Sequence, residues 1–127
     1  MIVVTNQSGI ARGMFEIADV DKFHRHMQAA LAERGARIDA FYMSPYHAEG
    51  AVERYRSDHE DRKPRPGMLL RAMRDWPIRR EGSVMIGDKP SDVEAGSRAG
   101  IPGIMVDTDT CDLAATARLW LGDRSDV

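Results

Sequence analysis

The sequence predicts one α/β domain over residues 1–127, in three layers, with a parallel sheet covered by helices on both faces. Three observations carry this. Short apolar runs alternate with stretches of helical period in the order β-α-β-loop-α-β-α-β-α. Glycines (Gly35, Gly100) stand where two helical stretches should stop. Polar clusters follow three of the apolar runs, and in open parallel sheets ligands sit outside the carboxyl ends of the strands.

Each element has its own signal. Met1–Thr5 is an Ile/Val run bounded by Asn6-Gln7-Ser8-Gly9, which reads as a buried strand. From Asp19 to Arg34, Val20, Phe23, Met27, Ala30 and Leu31 share one helical face, with His24 and His26 expected at the surface. Ile38–Met43 is the second strand. Ser44–Lys63 is a polar loop, long enough to predict a functional role. Pro66 suits the first turn of a helix whose buried face is Leu69, Leu70, Met73 and Trp76, and Pro77 ends it. Ser83–Ile86 is the third strand. Ser91 and Glu94 form a capping-box pattern that starts the next helix near Ser91. Ile101–Val106 is the fourth strand, and Leu113–Leu121 a last short helix. Met14, Met68, Met73 and Met85 are expected to fill the core, and Cys111 to be a small buried or helix-start residue.

Composition narrows the function. Eighteen Lys and Arg against twenty Asp and Glu give a formal charge of −2, which removes the electrostatic case for nucleic-acid binding. No apolar run approaches the ~20 residues that span a bilayer, so no membrane partner is expected. One cysteine excludes an internal disulfide framework, and together these features predict a cytoplasmic domain.

The strand-end clusters are Thr5-Asn6, Asp88-Lys89 and Asp107-Thr108-Asp109, and Arg62-Lys63 lies just before a helix start. Thr5 offers a hydroxyl, and the small residues after it offer backbone N–H groups for an anion. Lys63 and Lys89 are point charges, and Arg62 is a planar fork. Asp88 and Asp92 are hard oxygen donors suited to magnesium. Only three lysines occur, Lys22, Lys63 and Lys89, and two lie in these clusters. Taken singly, each cluster is better explained by a turn, a solvated helix start or a surface pair; recurrence at successive strand ends favours a shared phosphoryl and cation site.

Three segments then match a known family: Val4-Thr5-Asn6-Gln7-Ser8-Gly9-Ile10-Ala11-Arg12-Gly13, Arg62-Lys63-Pro64-Arg65-Pro66-Gly67-Met68-Leu69, and Met85-Ile86-Gly87-Asp88-Lys89-Pro90-Ser91-Asp92. In order and spacing they resemble the D-glycero-D-manno-heptose 1,7-bisphosphate phosphatases and the related histidinol-phosphatase branch of the haloacid dehalogenase-like superfamily. The resemblance implies a Rossmann-like core and a magnesium-dependent phosphomonoesterase acting through an aspartyl-phosphate. By position, Thr5 and Asn6 would grip the phosphoryl oxygens. Lys63 would balance charge between nucleophile and phosphate. Asp88 would hold Mg2+, with Asp92 as a second acidic support, and Arg62 and Lys89 would contact the substrate and its phosphate.

Two departures from the family follow. Its first, central strand ends in Asp-x-Asp, the nucleophile and general acid/base, and precedes the segment matched by Val4-Thr5-Asn6; no such pair precedes it in these residues. The expectation is an N-terminally truncated chain, inactive as it stands. Its inner strands Met1–Thr5 and Ser83–Ile86 would be left with open edges through which the chain could self-associate. Asp107-Thr108-Asp109 and Asp19-Val20-Asp21 are read as a turn and a helix cap instead. Secondly, many heptose bisphosphate phosphatases hold structural zinc in the loop, and the matching positions here are Ser44, Tyr46, His59 and Asp61, so no zinc is expected. Packing of Tyr42, Tyr46 and Tyr55 and a pair between Glu53 and Arg56 would order the loop, which near Arg62 is placed to select the substrate.

The favoured expectation is a phosphatase of a small phosphorylated sugar, most specifically heptose 1,7-bisphosphate. The alternatives are a non-catalytic phosphate-binding or interaction domain derived from such an enzyme, and a histidinol-phosphate phosphatase.

Overall fold

The computed structural model describes residues 1–109 and Ala115. The predicted Leu113–Leu121 helix and Cys111 lie outside the described residues. Strand β1 (Ile2–Asn6) runs through helix α1 (Ile17–Ala32) into β2 (Ala40–Ser44), and the two strands pair in parallel with Val4 opposite Tyr42 and Asn6 opposite Ser44. Helix α2 (Gly67–Asp75) packs on both. Strand β3 (Met85–Gly87) runs through α3 (Pro90–Arg98) into β4 (Gly103–Met105), again parallel, with Ile86 opposite Ile104.

The parallel α/β architecture is therefore the one expected, and its strands form two separate pairs. Among the described residues no ladder joins β1 to β3. One apolar cluster joins the halves: Leu69 of α2 meets Ala95 and Ala99 of α3 and Ile101, with Val4 of β1 and Met85 of β3 against them. Met68 is fully buried beside it.

Local differences from expectation have physical causes. Helix α1 starts two residues early because Asp19 Oδ2 accepts from the Glu16 backbone N–H at 2.8 Å, which caps the turn at Glu16. Its buried stripe runs through Val20 and His24, whereas Phe23 is 59% exposed; His24 lies flat on Phe41 of β2, with ring centres 4.1 Å apart. The expectation of a surface His24 is thus corrected, because the helix is rotated by about one position relative to the apolar count. Met14 is exposed rather than core. Ile38 is buried ahead of β2 instead of inside it, its backbone N–H and C=O both held by the Gln28 side-chain amide at 2.9 and 2.7 Å. Helix α3 starts at Pro90, whose missing N–H costs nothing in a first turn, and Asp92 rather than the Ser91/Glu94 pair closes it, by accepting from the Lys89 N–H at 3.1 Å. Gly35 and Gly100 do adopt the left-handed conformation expected after a helix (φ 72° and 81°).

Candidate functional site

The site is assembled by backbone geometry at the ends of β1 and β3. Asn6 closes β1, and its side-chain amide spans the Lys63 peptide: Oδ1 accepts from Lys63 N–H at 3.1 Å and Nδ2 donates to Lys63 C=O at 3.2 Å. The adjacent Gln7 donates from Nε2 to Thr5 Oγ1 at 3.0 Å, which leaves the Thr5 hydroxyl proton to point elsewhere.

Lys63 then reaches inward. Its Nζ donates to Val4 C=O of β1 at 3.0 Å and to Asp92 Oδ1 of α3 at 2.6 Å. The two side chains are only 10% and 7% exposed, so this is a buried ion pair bridging the two halves of the molecule. Asp92 uses its other oxygen on the Lys89 N–H. Burial opposes ionisation of Asp92, but the Lys63 hydrogen bond and charge, with the N–H groups of Lys89 and Asp88, outweigh it and hold its carboxyl below the usual range. Gly87 allows the fit, since a Cβ there would stand 2.2 Å from Asp92 Cβ.

Of the sequence-predicted residues, Asn6, Lys63 and Asp92 are linked by these bonds, and Thr5, next to Asn6 in β1, is bonded to Gln7. Asp88 and Lys89 follow directly at the start of α3, both exposed, and the Asp88 carboxylate has no partner among the described residues. Arg62 is engaged on the loop, its Nη1 donating to Tyr46 C=O at 3.4 Å. The structure commits both Asp92 oxygens to nitrogen donors, away from the cation role expected of it. A free carboxylate at Asp88 fits magnesium, which keeps several waters and takes one or two protein carboxylates with substrate phosphate. The positioning roles of Asn6 and Gln7 escaped the sequence reading; the only signal was amide side chains directly after a strand.

The four zinc-matching positions do not fit zinc. Ser44 is fully buried with Oγ unpartnered among the described residues. The Tyr46 ring is stacked flat on His59 (3.9 Å, 9°), and His59 Nδ1 accepts from Asp61 N–H at 3.0 Å. Asp61 is buried and takes Arg71 Nη1 at 3.0 Å. A hydroxyl, a phenol, an engaged imidazole and an ion-paired carboxylate are not a closed tetrahedral nitrogen/sulfur set, and no group of three or more metal-binding side chains occurs among the described residues. The Tyr46–Tyr55 contact is present, edge-on at 6.3 Å. The expected Glu53–Arg56 pair is not, because Arg56 Nε donates to Gly50 C=O at 2.8 Å instead.

The chain is similar in sequence and fold to known proteins. The HAD-hydrolase-like family model matches residues 60–126. The chain is 46% identical over 113 residues to the D-glycero-beta-D-manno-heptose-1,7-bisphosphate 7-phosphatase of Rhodopseudomonas palustris, covering 89% of this chain and 63% of that protein. It is 38% identical over 128 residues to the D-glycero-alpha-D-manno-heptose-1,7-bisphosphate 7-phosphatase of Burkholderia mallei, covering 99% and 68%. The chain belongs to the haloacid dehalogenase-like hydrolases. Its fold superimposes on the crystal structure of D,D-heptose 1.7-bisphosphate phosphatase from B. bronchiseptica, solved with magnesium and phosphate, at TM-score 0.72 and 33% identity over 82% of this chain and 54% of that one. This haloacid dehalogenase-like chain thus spans about two thirds or less of the length of the relatives it matches. No helix among its described residues is long and apolar enough to cross a membrane.

Proposed function

We propose that the chain forms the phosphate-holding part of a phosphomonoesterase for a small phosphorylated sugar, a heptose 1,7-bisphosphate in the first instance. The observation that carries this is the buried Lys63, tied to β1 and α3, with an exposed Asp88 directly after β3. The names of the relatives, and the magnesium and phosphate in one related structure, support it.

Thr5 donates its hydroxyl to a phosphoryl oxygen, because Gln7 already supplies the hydrogen bond that Oγ1 accepts. Lys63 opposes the charge of the phosphoryl group from a site shielded from water, where that charge is worth most. Lys89 meets the phosphate from the solvent side. Asp88 would hold magnesium, which when bound neutralises phosphoryl oxygens. Asp92 fixes Lys63 instead of a metal. The loop carrying Tyr46, Tyr55 and Arg62 forms the sugar-facing wall without zinc.

A carboxylate nucleophile is still required. Asp19 is engaged as the α1 cap, and Asp107 Oδ1 accepts from Asp109 N–H at 2.9 Å in a tight turn. On this reading the chain alone releases no phosphate from heptose 1,7-bisphosphate. The test is binding of inorganic phosphate with Mg2+, followed by 31P NMR. Wild type binds, and Thr5→Val and Lys89→Ala each weaken binding. Equal binding by wild type and both variants, or none by wild type, overturns the reading.

A further inference from the structure

We infer that Asn6 is a positioning residue for Lys63, acting through the backbone, and that its side chain is not itself a phosphate ligand. The inference deepens the reading above and rests on Lys63 being the cation that meets the phosphate.

A long side chain loses rotational freedom when it is held in place. A lysine ammonium on four methylenes has several rotatable bonds to fix, and it is useful as a preorganised charge only if both ends are held. At the tip, Val4 C=O and Asp92 Oδ1 hold Nζ. At the root, Lys63 lies in the segment between the long loop and α2, outside any helix or strand, so no ladder holds its peptide. Asn6 supplies that restraint. Its Oδ1 takes the Lys63 N–H and its Nδ2 gives to the Lys63 C=O, the two bonds a neighbouring strand would otherwise provide. An amide suits this because it alone among small side chains carries a donor and an acceptor on one rigid plane; Asp keeps only the acceptor and Ala neither. With Oδ1 and one Nδ2 proton engaged and partly buried, the Asn6 side chain faces the lysine peptide.

The chain has only three lysines, which makes the test clean. Trace labelling with an amine reagent, read by mass spectrometry, compares Lys63 with exposed Lys22 and Lys89. In wild type Lys63 labels slowest. In Asn6→Ala its labelling rises about tenfold, as local opening exposes it, while Lys22 and Lys89 keep their rates. Asn6→Asp, which retains one of the two bonds, falls between. Unchanged Lys63 labelling in a folded Asn6→Ala protein overturns the inference. If Asn6→Ala does not fold, Asn6→Asp decides on the same criterion. If neither folds, the wild-type protein does so through the scalar coupling across the hydrogen bond from Lys63 N–H to Asn6 Oδ1, whose absence overturns it. Adding inorganic phosphate with Mg2+ to wild type separates the two claims. Protection of Lys89 reports the phosphate site, whatever Asn6 does, and its absence sinks the functional reading while leaving the Asn6–Lys63 restraint standing or falling on the labelling alone.

Discussion

Replacing Asp92 by Ala tests the centre of the molecule most directly. The carboxylate is buried, meets Lys63 Nζ at 2.6 Å, and accepts the Lys89 N–H that opens α3. The substitution strands an ammonium that is 10% exposed with one neutral acceptor, and breaking a buried pair from one side typically costs 3–5 kcal/mol. Loss of the helix-opening acceptor adds about 1 kcal/mol. A loss of about 4–6 kcal/mol is a large part of the 5–15 kcal/mol typical of a domain. Lys63→Met costs less, about 1–3 kcal/mol, because the remaining carboxylate keeps its N–H donors and can take up a proton. The two variants also differ in pH response. The Asp92 carboxyl titrates below its ordinary value when folded, so the unfolded chain takes the proton first; its contribution is complete above the ordinary carboxylate range and is lost as pH falls through it toward the folded value. Lys63→Met removes the main lowering influence and leaves burial, which raises the folded carboxyl toward or above its ordinary value, so the acid loss contributed by Asp92 shrinks or reverses. Urea denaturation followed by circular dichroism at neutral and acid pH measures all of this. An Asp92→Ala protein within about 0.5 kcal/mol of wild type would place the pair among ordinary surface contacts and refute the argument.

Three further outcomes are expected. EDTA leaves the Tm unchanged, whereas Tyr46→Ala lowers stability by about 1–2 kcal/mol through loss of the His59 stack; a fall in Tm on chelation, reversed by zinc, would contradict the metal-free loop. His24 has its pKa lowered by burial, partly offset by Asp21, so stability is full above its ordinary value and declines as pH falls below it; His24→Leu flattens that decline in thermal melts between pH 7 and 5, and an unchanged slope would contradict it. Met68→Ala, at a fully buried position, costs about 2–5 kcal/mol by urea denaturation, and a loss below 1 kcal/mol would show that the site is not packed as described.

The elements were legible in the sequence wherever one physical signal dominated. A bounded Ile/Val run marked β1 and the Ile38–Met43 run with Phe41 and Tyr42 marked β2, each within two residues, and Gly35 and Gly100 stand where the helices end. Helix rotation was not legible, because Phe23 and His24 both lie one turn from Val20, on either side of it, and only the Phe41 ring decides which is covered. The strand-end clusters marked the right region, since polar residues after apolar runs mark ligand-facing edges. What they could not carry is commitment. Asp88 and Asp92 look alike as carboxylates four apart, yet one is exposed without a partner and the other has both oxygens taken by groups 29 and 3 residues away in sequence. Asn6 likewise reads as a ligand until the backbone 57 residues later is seen to occupy it.

The tie at Lys63 sets a stoichiometry. An ammonium has three hydrogens, and two of them are directed at oxygens of the chain itself, one on each side of the divided sheet. A single hydrogen remains for any guest. An oxyanion content with one contact leaves both anchors in place, while one that draws two must release either the strand carbonyl or the carboxylate. Occupancy by a highly charged guest and cohesion between the halves are therefore thermodynamically linked through one nitrogen atom.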